Sequence, residues 1–284
     1  MRILEKAHPL CSFMYLLAVL GITIFTRHPI MLAASAVGAA LLLILSEKGR
    51  LAAWMPLIVV ASAVTNPIFS HNGATVLFFA GDMPITLEAI LYGADFGLML
   101  AASVGWSFAA VKYITSDKYI WLFGRILPSA GLVLSCALRL VPLFIRRGRD
   151  FAAAQQADTI RGSLKAFSAS VGYSAEEAMT SADSMRARGY GTARRTSYSL
   201  YRFGGRECMQ LSVVILLGGC SAALMLAGAG DFGFYPEISV LACDAQNLCL
   251  YVVFAALAML PCSVVVYENV RRMRGFAVAK GALK

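Results

Sequence analysis

Two short stretches set an arginine beside a glycine in the most charged part of the chain: Asp158-Thr159-Ile160-Arg161-Gly162 and Asp183-Ser184-Met185-Arg186-Ala187-Arg188-Gly189. An arginine in the last turn of a helix is favoured by the negative end of the helix dipole, by about 0.3 to 1 kcal/mol. A glycine next to it supplies the left-handed conformation that stops the helix. The chemistry open to such a tip is recognition: the guanidinium is a forked donor to a carboxylate or a backbone carbonyl of a partner. One Arg-Gly helix end is explained by the dipole alone. Two of them, with Arg161 and Arg188 27 residues apart, point to a pair of docking tips.

Other chemistry finds little support. No stretch reads GxxxxGK[ST], so the backbone cradle and lysine that hold ATP phosphates are absent, and an ATP-driven function has to borrow its motor. His8, His28 and His71 are dispersed near span ends, and none pairs with another His, Asp or Glu at metal-ligand spacing. Cysteines 11, 136, 208, 220, 243, 249 and 262 form no CxxC pair and read as small hydrophobes, with only Cys243 and Cys249 placed to meet an oxidising compartment. The expectation is a non-catalytic chain without metal or cofactor. Asp95 is the one acid well inside an apolar stretch, and an intramembrane acid is a functional candidate by default. It keeps open an alternative, a self-contained secondary carrier or channel working through Asp95.

The elements that must carry these residues are membrane helices. Of 284 residues 59% are hydrophobic and 14% charged, where a wetted globular surface needs roughly 25% charged. Mean hydropathy is +0.70. Apolar segments at Leu10–Phe25, Ile30–Leu45, Leu51–Phe69, Ile85–Val111, Leu211–Ala229 and Leu248–Tyr267 predict six spans, the first two short and broken at Arg27-His28-Pro29. Arg2 and Lys6 before the first run, with Ala34-Ser35-Ala36 after it, imitate a signal peptide. Hydrophobic segments recur to residue 267, so the first run is expected to stay as a span. Trp54, Trp106 and Trp121 are expected in interfacial belts.

Charge placement predicts the orientation. The loops Ser70–Pro84 and Gly230–Asn247 contain no Lys or Arg, whereas Lys48, Arg50, Lys112, Lys118 and the tail Arg271, Arg272, Arg274, Lys280 and Lys284 fall on the other side, which puts both termini in the cytoplasm. The stretch Arg139–Arg206 holds 12 of the 25 basic residues and only five acids, a large part of the net +9. It is too long for a simple connector. Three regions are expected: membrane helices over 1–118, interfacial and cytoplasmic helices over 119–206, and a helix pair with a basic tail over 207–284.

Within the middle region, Tyr119–Ile145, interrupted by Pro128 and Pro142, reads as an interfacial helix pair. A helix from Arg146 is expected to end at Gly162. A second is expected to start at a capping box, Ser174 with Glu177, and to close at Gly189, with Gly172 as a joint before it. Leu164, Phe167, Val171, Ala175, Ala178, Ala182 and Met185 recur at helical spacing and form one apolar, small-residue face suited to close helix packing. The basic surface also attracts anionic lipid. Nucleic acid is not an expected partner for a surface lying against a membrane.

Asn66-Pro67-Ile68-Phe69 with Gly73, Thr86-Leu87-Glu88 with Tyr92-Gly93, Leu138-Arg139-Leu140-Val141-Pro142, and Ala187-Arg188-Gly189-Tyr190 with Arg161-Gly162 before it, taken together, resemble the transmembrane T component of energy-coupling factor transporters, EcfT. Ile160 stands where the first signature usually has alanine, and His8-Pro9-Leu10 stands where a Pro-Arg is usual. The resemblance implies an all-α polytopic membrane protein with coupling helices. It also implies docking of Arg161, Gly162, Ala187, Arg188 and Gly189 onto two ABC-type ATPase subunits, A and A′. The remaining partner it implies is a separate substrate-binding S component for uptake of a vitamin or a metal ion.

Overall fold

The structure, a computed structural model, describes residues 8–45, 49–70, 73–80, 83–154, 160–190, 201, 203–235 and 244–281. In chain order the elements are α1 (Pro9–Phe25), α2 (Pro29–Leu45), the single turn α3 (Gly49–Ala52), α4 (Met55–Phe69), β1 (Val76–Ala80), β2 (Met83–Thr86), α5 (Leu87–Tyr113), α6 (Ser116–Ile126), α7 (Pro128–Ala154), α8 (Ile160–Ala187), α9 (Gly205–Leu226) and α10 (Ala245–Gly281). They form two compact units, Met1–Thr115 with Phe203–Lys284, and Ser116–Arg202. The first and last thirds of the chain thus come together.

Five helical stretches are long and apolar enough to cross a membrane: Gly49–Phe69, Leu87–Tyr113, Ser129–Ala154, Gly205–Leu226 and Ala245–Val266. The chain is an all-α multi-pass membrane protein. This set differs from the six expected spans in two ways. Ser129–Ala154 joins it, because the helix runs unbroken through Pro142 where two interfacial pieces were expected. The first two spans fall short of it, at 17 residues each. At 1.5 Å per residue such a helix reaches about 26 Å, less than the roughly 30 Å hydrocarbon thickness. Burial explains why α2 tolerates this. Met31, Leu32, Ser35, Ala39, Leu42 and Leu43 are fully buried, so its surroundings are largely protein.

The core of the first unit sits around α2, which packs on α5 and on α10, while α4 packs on α5 and α1 on α9. Trp106, expected at an interface, is fully buried and donates from Nε1 to Ser35 Oγ at 3.0 Å; that hydroxyl shares a further 2.7 Å bond with Thr23. A buried indole N–H must find a partner, and a neighbouring helix provides it. Proline at the first turn of α1 and α2 costs no helical hydrogen bond, and His8 caps α1 by accepting from the Leu10 N–H. The expected break at Arg27-His28-Pro29 is present, with α1 ending at Phe25 on an extended Thr26.

The stretch Ser70–Pro84, read as a loop, contains an antiparallel hairpin, with Val76 opposite Thr86 and Ala80 opposite Met83. The apolar run Val76-Leu77-Phe78-Phe79 followed by Gly81-Asp82 is a hairpin signal in the sequence.

Candidate functional site

In the first unit, the motif residues 66–93 converge. Asn66 donates from Nδ2 to the Ala89 carbonyl at 2.7 Å, tying the end of α4 to the start of α5. Thr86 caps α5 by accepting from the Ala89 N–H. Glu88 accepts from the Thr75 N–H at 3.1 Å and from the Thr75 hydroxyl, and so fixes the chain entering β1. Gly93 and Gly97 lie directly on α4: a Cβ on Gly93 would stand 2.7 Å from Asn66 Cβ, and one on Gly97 2.8 Å from Val59 Cα. These residues form a rigid joint between two helices. Phe232, Phe234 and Tyr235 close over it, with rings against His28 and Tyr92, and Tyr251 shares a 2.7 Å bond with His28 Nε2. Thus His28, Ser70 with Tyr92, and Phe232, Phe234 and Tyr235 with Tyr251 come together in the unit. His28 lies in the link between α1 and α2, and burial holds it below the ordinary imidazole range.

Asp95 is 7% exposed in α5, and its Oδ1 has no hydrogen-bond partner. No group of three His, Cys, Asp or Glu able to hold a metal occurs among the described residues. His8 is buried against Phe203, and His71 and Cys243 lie outside the described residues.

The second unit consists of α6, α7 and α8. Arg147 clamps α7 to α8: its Nη1 lies 2.9 Å from Glu177 Oε2, and its guanidinium stacks 4.0 Å above the Tyr173 ring centre. Phe144 meets Phe167 edge-on, Phe151 meets Tyr173, and Ala166 and Ser170 are buried at the contact. Sequence reasoning counted Arg147 only as part of the basic excess. The readable signal was Tyr173 and Glu177, four residues apart on one helix face. The ion pair is about one-third exposed and contributes about 0.2 to 1 kcal/mol. The cation–π contact adds about 0.5 to 1 kcal/mol. Arg147→Ala is therefore expected to destabilise the helix pair by about 1 to 2 kcal/mol in thermal denaturation of the solubilised protein. Arg146→Ala, at an exposed position, should stay within about 0.5 kcal/mol of the unsubstituted protein.

Three expectations for this unit are corrected. Gly162 does not end a helix: the described part of α8 runs on through Arg161 and Gly162 to Ala187, and Asp158 and Thr159 lie outside the described residues. Side-chain placement of Arg161 lies outside them too. Ser174 is no N-cap, because α8 runs straight through it and its hydroxyl donates back to the Ser170 carbonyl at 2.7 Å, while Glu177 is drawn to Arg147. Gly172 makes no joint; its helical cost of about 1 kcal/mol is outweighed by packing on either side. Of the two signatures read as equivalent helix ends, only Arg188-Gly189 stops a helix, and Arg161-Gly162 lies within one.

The second end matches its expectation in detail. Gly189 has φ +76°, the Tyr190 N–H reaches the Met185 carbonyl at 3.1 Å, and the Gly189 N–H reaches that of Arg186 at 2.9 Å, the paired bonds of a Schellman close. Ala187 is the last helical residue and Arg188 follows it, exposed. Arg186 instead pairs with Asp183 at 3.7 Å. Gly189→Ala should cost about 1 to 2 kcal/mol of local stability, seen as faster hydrogen exchange at 186–190, because a Cβ crowds the left-handed conformation. Gly162→Ala, in a helical turn, should be neutral or stabilising by up to about 1 kcal/mol.

The apolar stripe does not hold α7 and α8 together. Leu164 is 62% exposed, Phe167 59% and Val171 45%, and Ala175, Ala178 and Ala182 are exposed as well; Met185 is half-buried. Phe167 also touches α7, and the helix pair is packed by the neighbouring face of Ala166, Ser170, Tyr173 and Glu177.

Residues 11–110, which run from α1 through most of α5, match a protein family described as "Domain of unknown function (DUF8519)". No curated protein matches the chain.

Proposed function

We propose that this chain is the energy-coupling transmembrane subunit of an ECF-type ABC importer. It transmits ATP-driven motion of two cytoplasmic ATPase subunits to a separate substrate-binding membrane protein that takes up a micronutrient, a vitamin or a metal ion. The observation that carries the reading is the exposed Arg188 on a Schellman-closed helix whose apolar stripe is left uncovered. A surface of that kind needs a partner: large exposed apolar residues in a row are a protein or membrane contact, and the fixed helix end presents a forked cation at a defined point.

Helices α7 and α8 would be the coupling helices, with α7, though long and apolar enough to cross, lying along the inner leaflet of the cell membrane, so that α1, α2 and the four other span-length stretches make an even number of crossings. There α7 turns its apolar residues to lipid and sends Arg139, Arg146 and Arg149 towards headgroups. ATP binding and hydrolysis in the partners move the tip at Ala187-Arg188-Gly189 and the turn at Arg161-Gly162. The clamp at Arg147 makes α7 and α8 move as one body. The stripe Leu164–Ala182 passes the motion to the S component. Both termini lie on the same, cytoplasmic side, in keeping with the Lys and Arg distribution.

The test is isolation of the tagged full chain from its native membrane. The expected result is co-isolation of P-loop ATPases and a small polytopic membrane protein; a chain that comes out alone overturns the reading.

Asp95, buried with an unpartnered Oδ1, favours a second reading, the self-contained carrier or channel. It predicts that vesicles holding this chain alone transport substrate and that Asp95→Asn abolishes this. On the coupling reading such vesicles transport nothing.

A further inference from the structure

We infer that the β1–β2 hairpin is an interfacial membrane element, seated in the headgroup and acyl boundary of the leaflet where α4 leads into α5. A hairpin that stands in water alternates, apolar on the packed face and polar on the wetted one. This one does not: residues 76–80 and 83–85 contain no polar side chain. Val76 is 45% exposed, Leu77 52% and Phe79 69%, so the apolar surface is left open. Among the described residues the hairpin is a sheet of two strands, and an isolated pair of strands is marginal in water without an apolar surface to lie on. The hydrocarbon centre is closed to it for the opposite reason. Each strand has one open edge, and edge N–H and C=O groups find no partners in lipid tails. The faces reject water and the edges reject the hydrocarbon core. At the interface, acyl chains cover the faces while headgroups and water reach the edges.

The fold puts the hairpin at that depth. Its base is tied to the start of α5: the Leu87 N–H donates to the Thr75 carbonyl at 3.0 Å, and Glu88 accepts from the Thr75 N–H. Both flanking helices belong to stretches of span length, Gly49–Phe69 and Leu87–Tyr113. Val64, Ile68 and Phe69 near the end of α4 and Leu87 and Leu91 at the start of α5 are exposed, so the lipid-facing surface of the two helices runs up to the hairpin from both sides. The occupant is therefore the bilayer that already covers those helices. Seated there, the hairpin sets the depth of the joint between α4 and α5. It is separate from the coupling surface of the second unit and stands whether or not that reading holds.

The experiment places an added indole on the hairpin and reads its depth. The full chain and its Phe79→Trp variant are reconstituted in phosphatidylcholine vesicles whose acyl chains are brominated either near the headgroup or near the methyl end. Subtracting the unsubstituted protein, with its Trp54, Trp106 and Trp121, leaves the emission of the new indole. Leu77→Trp is a second reporter, so that a folding defect in one variant leaves the test intact. Leu216→Trp, exposed and midway along α9, is the standard for a reporter deep in the bilayer. The indole at 79 or 77 is expected about 5 to 10 Å into the headgroup and acyl boundary. It should lose more emission to the shallow bromines than to the deep ones, with the order reversed at 216. Deep bromines quenching 79 and 77 as well as or better than shallow ones would place the hairpin in the hydrocarbon and overturn the inference. No quenching by either lipid would overturn it too, and acrylamide then says what replaces the bilayer: water if it quenches, a covering protein surface if it does not.

Discussion

Arg188→Ala is expected, on the coupling proposal, to lower the affinity of this chain for the proposed ATPase subunits by about 30-fold or more, the cost of losing one interfacial arginine of hot-spot rank. The size of the effect follows from how the residue is held. Arg188 sits where the helix has already been stopped by the left-handed Gly189 and two closing hydrogen bonds, so little ordering is left to be done on docking. Its neighbour Arg186 is also exposed but lies 3.7 Å from Asp183 within the last helical turn, whereas Arg188 stands at the helix end itself. Arg188→Lys should recover only part of the loss, because a lysine supplies a point charge without the fork. The Arg161, Arg188 double variant should be worse than either single one. Helix content should be unchanged throughout, and ATP hydrolysis by the partners should become uncoupled from uptake where assembly survives.

Gly93→Val is expected to have the largest effect on the membrane unit. A Cβ there would stand 2.7 Å from Asn66 Cβ and 2.9 Å from the Ser62 carbonyl oxygen, and the second of these is backbone, which cannot swing aside. Helices α4 and α5 would have to separate. That costs about 1 to 3 kcal/mol for the overpacking itself, and it stretches the Asn66–Ala89 hydrogen bond that ties the joint. Gly219→Val is the control, since a Cβ at that exposed glycine in α9 meets nothing within 4 Å. Thermal aggregation of the solubilised chain, followed by size-exclusion chromatography, should show early loss for Gly93→Val and a profile close to the unsubstituted protein for Gly219→Val.

The features legible in the sequence were those set by local chemistry. The break at Arg27-His28-Pro29 follows from proline, and the close at Gly189 follows from Arg, Gly and the dipole, so both were readable from a few residues. The same local rule failed at Gly162, because Arg-Gly inside a helix and Arg-Gly after a last turn have the same letters. What separates them is whether the helix continues, and Ile160–Ala187 is sustained as one helix by contacts with α7. Ser174 failed for a related reason: a capping box needs a free helix end, and here Glu177 has a better partner in Arg147, 30 residues away. Trp106 was misplaced because hydropathy does not reveal that Ser35, 71 residues earlier, provides its acceptor. The motif residues between Asn66 and Gly93 were quoted for their resemblance, and their common physical task, one joint between α4 and α5, emerges only from the packing. The stripe from Leu164 to Met185 was visible as a helical face, whereas its exposure was not, since periodicity says which residues share a side and not what covers it.

The most direct test places a photo-activated cross-linking amino acid at position 188 in the full chain and irradiates native membranes. If the helix end is a docking tip, the adducts contain a P-loop ATPase, and they disappear when the same group is moved to the exposed position 216 in α9. Adducts with lipid alone, or with no nucleotide-binding protein, would contradict the coupling account.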